Sequence, residues 1–132
     1  MPSIFSRIIA GEIPAHKIAE TDEFVAFLDV RPQAKGHTLC VPKEEIDYIF
    51  DIDDEQLARL MVFAKRVGRA VEAVVPCQRI GIAVIGLEVP HAHIHLIPMN
   101  SMKDMKFTGE AKVNLSTEEM QALAAAIAEK LG

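Results

Sequence analysis

The segment EVPHAHIHLIPM, Glu88 to Met99, sets His91, His93 and His95 at alternate positions with Ala92, Ile94 and Leu96 between them. On a strand the side-chain period is two, so the three imidazoles share one face and the three apolar side chains share the other. A strand is therefore expected over 91–98, closed by Pro98. Its apolar face can pack beneath a helix, which leaves the imidazoles on the second face.

Three readings of that row compete. In the first it is a polar strand face that happens to be rich in histidine, although Thr, Ser, Lys and Glu are the commoner choice there. In the second it is a metal site. His91 and His95 are then about 13 Å apart along a strand, while metal–nitrogen bonds are about 2.0–2.1 Å. One ion takes an adjacent pair, and a further ligand has to come from elsewhere, with Glu88 and His37 as possible suppliers. The third is catalysis. A neutral imidazole, with an ordinary pKa near 6.5, is a nucleophile towards phosphorus at neutral pH and needs no separate base. The middle ring has a partner on each side, one to fix its tautomer and one to hydrogen-bond phosphoryl oxygens or a leaving group. That geometry favours His93 as the attacking residue, flanked by His91 and His95, and requires no metal.

The rest of the chain supplies packing partners. SIFSRIIAGE carries Ile4, Phe5, Ile8 and Ile9 at helical spacing, with Gly11 and Pro14 as stop signals. Glu23–Val30 and His37–Pro42 read as strands joined by the turn RPQAKG. The strongest helix follows, DIDDEQLARLMVFAKRVGRAVEAVV, with Leu57, Leu60, Met61, Ala64, Val67, Val71 and Val74 forming its apolar stripe. Asp53 with Gln56 resembles a capping box, and Pro76 ends the helix. QRIGIAVIG is β-rich, the segment from 100 to 115 looks irregular, and a last helix begins at Ser116, capped with Glu119. The order helix, hairpin, long helix, hairpin, helix, with short turns between strands, implies an α+β class built on an antiparallel sheet.

Charge and cysteine usage narrow the partners. With 14 Lys+Arg against 19 Asp+Glu, the net charge of −5 argues against nucleic acid or an anionic membrane across the whole surface. A small phosphorylated ligand in a local site is still compatible with it. No apolar run approaches a membrane span and the N-terminal stretch lacks a signal-peptide pattern, so a cytoplasmic chain with no membrane partner is expected. Cys40 and Cys77 form no CxxC and are read as buried thiols.

Taken with these residues, the chain resembles the histidine triad (HIT) family of nucleotide hydrolases and transferases. Their signature alternates His with apolar residues and ends in two apolar positions, and HAHIHLI fits every place. The stretch from Ser3 to Ile46, SIFSRIIAGEIPAHKIAETDEFVAFLDVRPQAKGHTLCVPKEEI, resembles the N-terminal half of the Hint-like branch almost continuously, whereas the tail and helix of 100–132 are less informative. The resemblance implies a single HIT domain over 1–132, an antiparallel sheet of about five strands with the long helix packed on it. It also implies a homodimer with a larger sheet, the long helix and adjoining sheet lying at the subunit interface. It implies a double displacement through a nucleotidyl-histidine, with no cofactor and no metal in the reaction. Nucleoside phosphoramidates are the first expected substrates and dinucleoside polyphosphates the second, with purine nucleotides favoured.

Carried over by position, His93 is the nucleophile, His95 contacts the phosphate and leaving group, and His91 orients His93 largely through its backbone carbonyl. The fourth histidine of the family falls on His37, which without the resemblance is equally well read as a satisfied strand-end histidine. The nucleoside pocket falls on Ile4, Phe5, Ile8, Ile13, Phe27, Leu28, Val30, Leu39 and Val89, most of which read as core from pattern alone. Asp29 falls where the ribose hydroxyls are bound, although an Asx turn explains a carboxylate there nearly as well. His16 matches no triad position and is read as surface.

Two departures stand out. Many relatives carry an N-terminal Cys-x-x-Cys that contributes to a structural zinc site. Ser3 and Ser6 take those places here, so no zinc is expected. Relatives also have an Asn and a Gly-Gln-Ser or Gly-Gln-Glu run touching the phosphate. Here Ile80 falls at the Asn, and Gly86, Leu87 and Glu88 occupy the run. Gly86 still lets a backbone N–H approach a phosphate, whereas Glu88 repels phosphate, accepts from a cationic amine leaving group, or points away. The rival class is a nucleotide-binding or metal-binding module without turnover.

Overall fold

The computed structural model describes residues 2–107 and 110–131. Five strands form one antiparallel sheet in the order β1-β2-β3-β5-β4, where β1 is Lys17–Glu20, β2 Phe24–Leu28, β3 Thr38–Pro42, β4 Arg79–Ala83 and β5 Ile94–Met99. The helices are α1 (Ile4–Ile9), α2 (Asp54–Val74) and α3 (Thr117–Glu129). Among the described residues no helix is long and apolar enough to cross a membrane.

Period-two alternation makes this a two-faced sheet. Phe24, Ala26 and Leu28 of β2, Cys40 of β3, and Ile94 and Leu96 of β5 enter one core with Leu60, Phe63, Val67 and Val71 of α2 and Leu123 and Ile127 of α3. Val25 and Phe27 of β2, with Leu39 and Val41 of β3, enter a second cluster with Phe5 and Ile8 of α1. Burying each such side chain contributes roughly 1.5–3 kcal/mol, so both faces are firmly clad. The imidazole face of β5 is the one that α1 covers, and it is buried as well.

Local signals explain the helix limits. Asp53 caps α2 by accepting from the Gln56 N–H at 2.9 Å, and Ser116 and Glu119 form a reciprocal capping box at α3. Ser3 caps α1, accepting from the Ser6 N–H. Several expectations shift. Strand β1, only four residues long with a polar residue at each end, lies at the edge of the sheet beside β2 and extends the first hairpin to three strands. Met61 points outward and Phe63 takes its place in the core. Cys40 is buried but Cys77 is only half-buried, and both are free thiols.

The expected strand 91–98 is Ile94–Met99. Continuing the β3–β5 register beyond Cys40↔Ile94 would bring Pro42, which has no N–H, opposite Ala92. The ladder therefore stops, and the Ala92 N–H turns to the Ile46 carbonyl at 2.7 Å. Ala92 nevertheless stays in the α2 core, so the alternation continues past the end of the ladder.

The β2–β3 turn depends on Gly36, whose φ is +92°. A Cβ there would also lie 2.9 Å from Val75 Cγ2. Gly36→Ala is expected to lower stability by about 2 kcal/mol through left-handed strain and this overlap, measured as a fall in the urea midpoint. An unchanged midpoint would contradict the turn geometry.

Candidate active site

A cavity of about 430 Å³ opens between α1, the β2–β3 turn and the loop before β5. This volume suits a nucleotide-sized ligand. Its walls include Ile4, Phe5, Ile8, Ile13, Phe27, Leu28, Val30, Leu39 and Val89, with Asp29, Gly86, His37, His93 and His95 among the polar or backbone-exposing positions. Leu28 borders the cavity while contributing to the α2 core on the other face. One predicted site residue, His91, lies outside the lining, fully buried behind it; His16, read as surface, is half-buried and also outside the lining.

Backbone groups set the protonation of every triad ring. The Gln33 N–H donates to His37 Nδ1 at 3.0 Å, so the neutral His37 ring carries its proton on Nε2. That Nε2–H donates to His95 Nδ1 at 2.9 Å, which places the His95 proton on Nε2. His93 Nδ1–H donates to the His91 carbonyl at 2.7 Å and leaves Nε2 as an unprotonated lone pair. His91 Nε2–H donates to the Pro42 carbonyl at 2.7 Å, and its Nδ1 accepts from the Ser3 hydroxyl at 2.6 Å. The His93 and His95 ring centroids are 4.8 Å apart, so a lone pair and an N–H donor sit side by side. Edge contacts from Phe5 to His93 at 4.9 Å and from Phe107 to His95 at 5.0 Å seal the two rings from opposite ends.

Burial disfavours the charged form of His37, His93 and His95. It holds His37 down to about 4 and His95 down to about 3, with the neighbouring His93 adding to both shifts. It also lowers His93, partly offset by the hydrogen bond to the His91 carbonyl and by the charge of Asp29. Burial raises Asp29, against the pull of the Arg31 N–H and guanidinium. Asp29 makes the expected Asx turn, with Oδ1 accepting the Arg31 N–H at 2.9 Å, and it also lines the cavity. Oδ2 lies 3.6 Å from His37 Nε2, a dipolar contact because His37 is neutral.

Two sets of residues bear on metal binding. Ligand atoms of Asp29, His37 and His95 lie within 4.8 Å of one another. Two nitrogens on one tetrahedral zinc would stand about 3.3 Å apart for bonds of about 2.0–2.1 Å, whereas His37 Nε2 and His95 Nδ1 are 2.9 Å apart with a proton between them. This is hydrogen-bond geometry. At the N-terminus Ser3 and Ser6 present neutral hydroxyls that are engaged as donors, a poor set for zinc.

Several residues on the cavity wall escaped the sequence reading. Arg31 and Gln33 were read only as parts of a turn, and Phe107 lies in the segment taken as irregular, with no pattern to single it out. Glu88 stands at the exposed rim, 3.9 Å from Arg31, an ion pair too solvated to hold the wall rigidly. Leu87 and Gly86, the latter at φ +76°, also border the cavity. Ile80 packs against the α2 core instead.

The depressed ring values imply a pH dependence of stability. Below the ordinary value of 6.5 the unfolded chain protonates at His37 and His95 while the folded chain does not, until pH approaches 4. Their contribution is therefore complete above pH 6.5 and lost as pH falls. Urea midpoints are expected to drop between pH 7 and pH 5, and His95→Gln to flatten that dependence. Parallel profiles for the two proteins would contradict the buried neutral pair.

Residues 10–102 match the HIT domain. The adenosine 5'-monophosphoramidase of Schizosaccharomyces pombe is 35% identical over 133 residues, covering 99% of each chain. That of Saccharomyces cerevisiae is 40% identical over 108 residues, covering 80% of this chain and 68% of its own. Among solved structures, a Hit-like protein involved in cell-cycle regulation from Bartonella henselae superposes with a TM-score of 0.84 at 28% identity, covering 98% of this chain and 96% of its own. A zinc-bound histidine triad family protein from Mycobacterium smegmatis gives 0.79 at 28%, covering 96% and 93%. With the domain matched across most of its length and relatives aligned nearly end to end, the α+β chain belongs to the HIT domain family.

Proposed function

We propose that this protein is a nucleotidyl hydrolase that cleaves a nucleoside monophosphate from an amine leaving group through a covalent intermediate on His93. The observation that carries the reading is the His93 Nδ1–H bond to the His91 carbonyl, which leaves Nε2 as a lone pair at the cavity wall. In the first step that lone pair forms a bond to the α-phosphorus while the bond from phosphorus to the leaving nitrogen breaks. A substrate nitrogen that is already protonated departs with the electron pair as a neutral amine. The His95 Nε2–H hydrogen-bonds the phosphoryl oxygens and the leaving side. The phosphorylated His93 ring is cationic, and the His91 carbonyl stabilises it without rearrangement. Water then attacks phosphorus, His93 leaves with the electron pair of the N–P bond, and the proton of the water goes to solvent.

The apolar walls fit a purine nucleoside, and Asp29 fits an acceptor for the ribose hydroxyls. The likeness to two adenosine 5'-monophosphoramidases supports a purine nucleoside phosphoramidate ahead of a dinucleoside polyphosphate. Free Cys40 and Cys77 support a cytoplasmic setting. Packing of α3 against α2 and β1 supports one domain over 1–132. A homodimer fits the outer surface of α2 and the edge strand β4. There Val62 is 60% and Ile82 50% exposed, an unusual display of apolar area on a free edge.

A second reading, a metal-holding module without turnover, rests on the approach of Asp29, His37 and His95. Adenosine 5'-phosphoramidate separates the two. His93→Ala is expected to cut kcat/KM by at least about 10³ while AMP affinity stays within about tenfold, and excess chelator is expected to leave the wild-type rate unchanged. Chelator-sensitive activity, or turnover that survives the substitution, would favour the second reading. Ile82→Glu is expected to shift the protein from dimer to monomer in analytical ultracentrifugation. An unchanged mass would exclude the β4 edge as the interface.

A further inference from the structure

His91 is fully buried, both of its ring nitrogens are engaged, and it does not border the cavity. Its Nδ1 accepts from the Ser3 hydroxyl at 2.6 Å, and Ser3 Oγ in turn accepts the Ser6 N–H at 3.0 Å. Glu45, just beyond β3, accepts from the Ser3 N–H at 2.6 Å and from the Ser6 hydroxyl at 2.7 Å. These two bonds hold the Glu45 carboxyl below its ordinary range, as an acceptor-only carboxylate. Ser3, Ser6, Glu45 and His91 thus form a closed hydrogen-bond cluster that joins the start of α1 to the start of the triad.

Ser3 and Ser6 take the places at which the family resemblance implies a Cys-x-x-Cys. Zinc prefers thiolate and imidazole ligands, and the two hydroxyls here are already spent as donors to His91 and Glu45. We propose that Ser3, Ser6 and Glu45 are positioning residues: a metal-free hydrogen-bond cluster that holds His91, and through the His91 carbonyl the His93 nucleophile, in register with the nucleoside wall on α1. This rests on the reading of His93 as nucleophile.

The cluster acts at two removes from phosphorus. Holding the His91 ring between Ser3 and the Pro42 carbonyl fixes the peptide whose oxygen receives His93 Nδ1–H. The same serines fix the first turn of α1, whose Phe5 lies edge-on to the His93 ring at 4.9 Å. Wall and nucleophile therefore share one anchor. The inner layer, Ser3 and His91, is buried, and the Glu45 layer is exposed, so the inner bond matters more.

The test compares full-length wild type with Ser3→Ala, Glu45→Ala and Glu45→Gln, using adenosine 5'-phosphoramidate turnover, thermal melting and metal content. Ser3→Ala is expected to lower kcat about tenfold with KM within about twofold, the size of one buried hydrogen bond lost from the transition state. Glu45→Ala is expected to lower kcat about threefold, and Glu45→Gln to restore it, because an amide oxygen accepts both bonds. Chelator is expected to change neither melting temperature nor rate. Unchanged kcat in Ser3→Ala and Glu45→Ala, with only lower melting temperatures, would overturn the proposal. Stoichiometric zinc whose removal lowers the melting temperature would overturn it too. If Ser3→Ala does not fold, the Glu45 pair decides. Equal rates for wild type and His93→Ala would instead sink the functional reading on which this role rests.

Discussion

The site depends on one hydrogen bond, from His93 Nδ1–H to the carbonyl two residues earlier. An imidazole in water exchanges its proton freely between two nitrogens. A fixed carbonyl removes that choice and commits the other nitrogen to being a base. The bond has room to form because the β4–β5 pairing ends at Ala83↔His95, short of residues 91–93. The His91 carbonyl accordingly takes a side chain, His93 Nδ1–H, in place of a strand partner. The same carbonyl-and-amide logic extends along the row, with Pro42 orienting His91 and the Gln33 N–H orienting His37 and, through it, His95. Four rings are set by three backbone groups and one serine.

Burial makes that arrangement effective. A sheet with one wet face would leave the imidazoles titrating near their ordinary value, protonated part of the time and pointed at solvent. Here α1 clads the second face and Phe107 closes over His95, so the charged form of His37, His93 and His95 is disfavoured and electrostatic contacts inside the cavity are little screened. The cost falls on stability, because neutral buried histidines make the fold sensitive to acid. The exposed Glu88–Arg31 pair at the rim adds polarity without rigidity, which suits a mouth that admits ligands.

Much of this was readable because it follows from periodicity. The alternation of His91, His93 and His95 with Ala92, Ile94 and Leu96 survives into the structure, as does the α2 stripe from Leu60 to Val71. What escaped the reading depends on pairing across long separations. The start of β5 is set by Pro42, forty-nine residues before His91 along the chain. Met61 and Phe63 exchange places because the breadth of the α2 apolar face, which a stripe of single positions does not show, decides which is covered. Strand β1 is too short to register as a strand, and it forms by adding to an edge that already exists. Arg31, Gln33 and Phe107 reach the cavity from a turn and a segment with no period at all. Asp29 was legible as two alternatives, and its Asx turn leaves it in the cavity wall, so the two do not exclude each other.

The central claim is that the backbone holds four rings in set hydrogen-bonding roles around one lone pair. Long-range nitrogen-15 correlation spectra of histidine-labelled protein at pH 7 read this directly, since protonated and bare ring nitrogens differ widely in shift. The account predicts a proton on Nδ1 of His93 and on Nε2 of His37, His91 and His95, with His37, His93 and His95 uncharged. A proton on Nε2 of His93, or a charged His95, would contradict it.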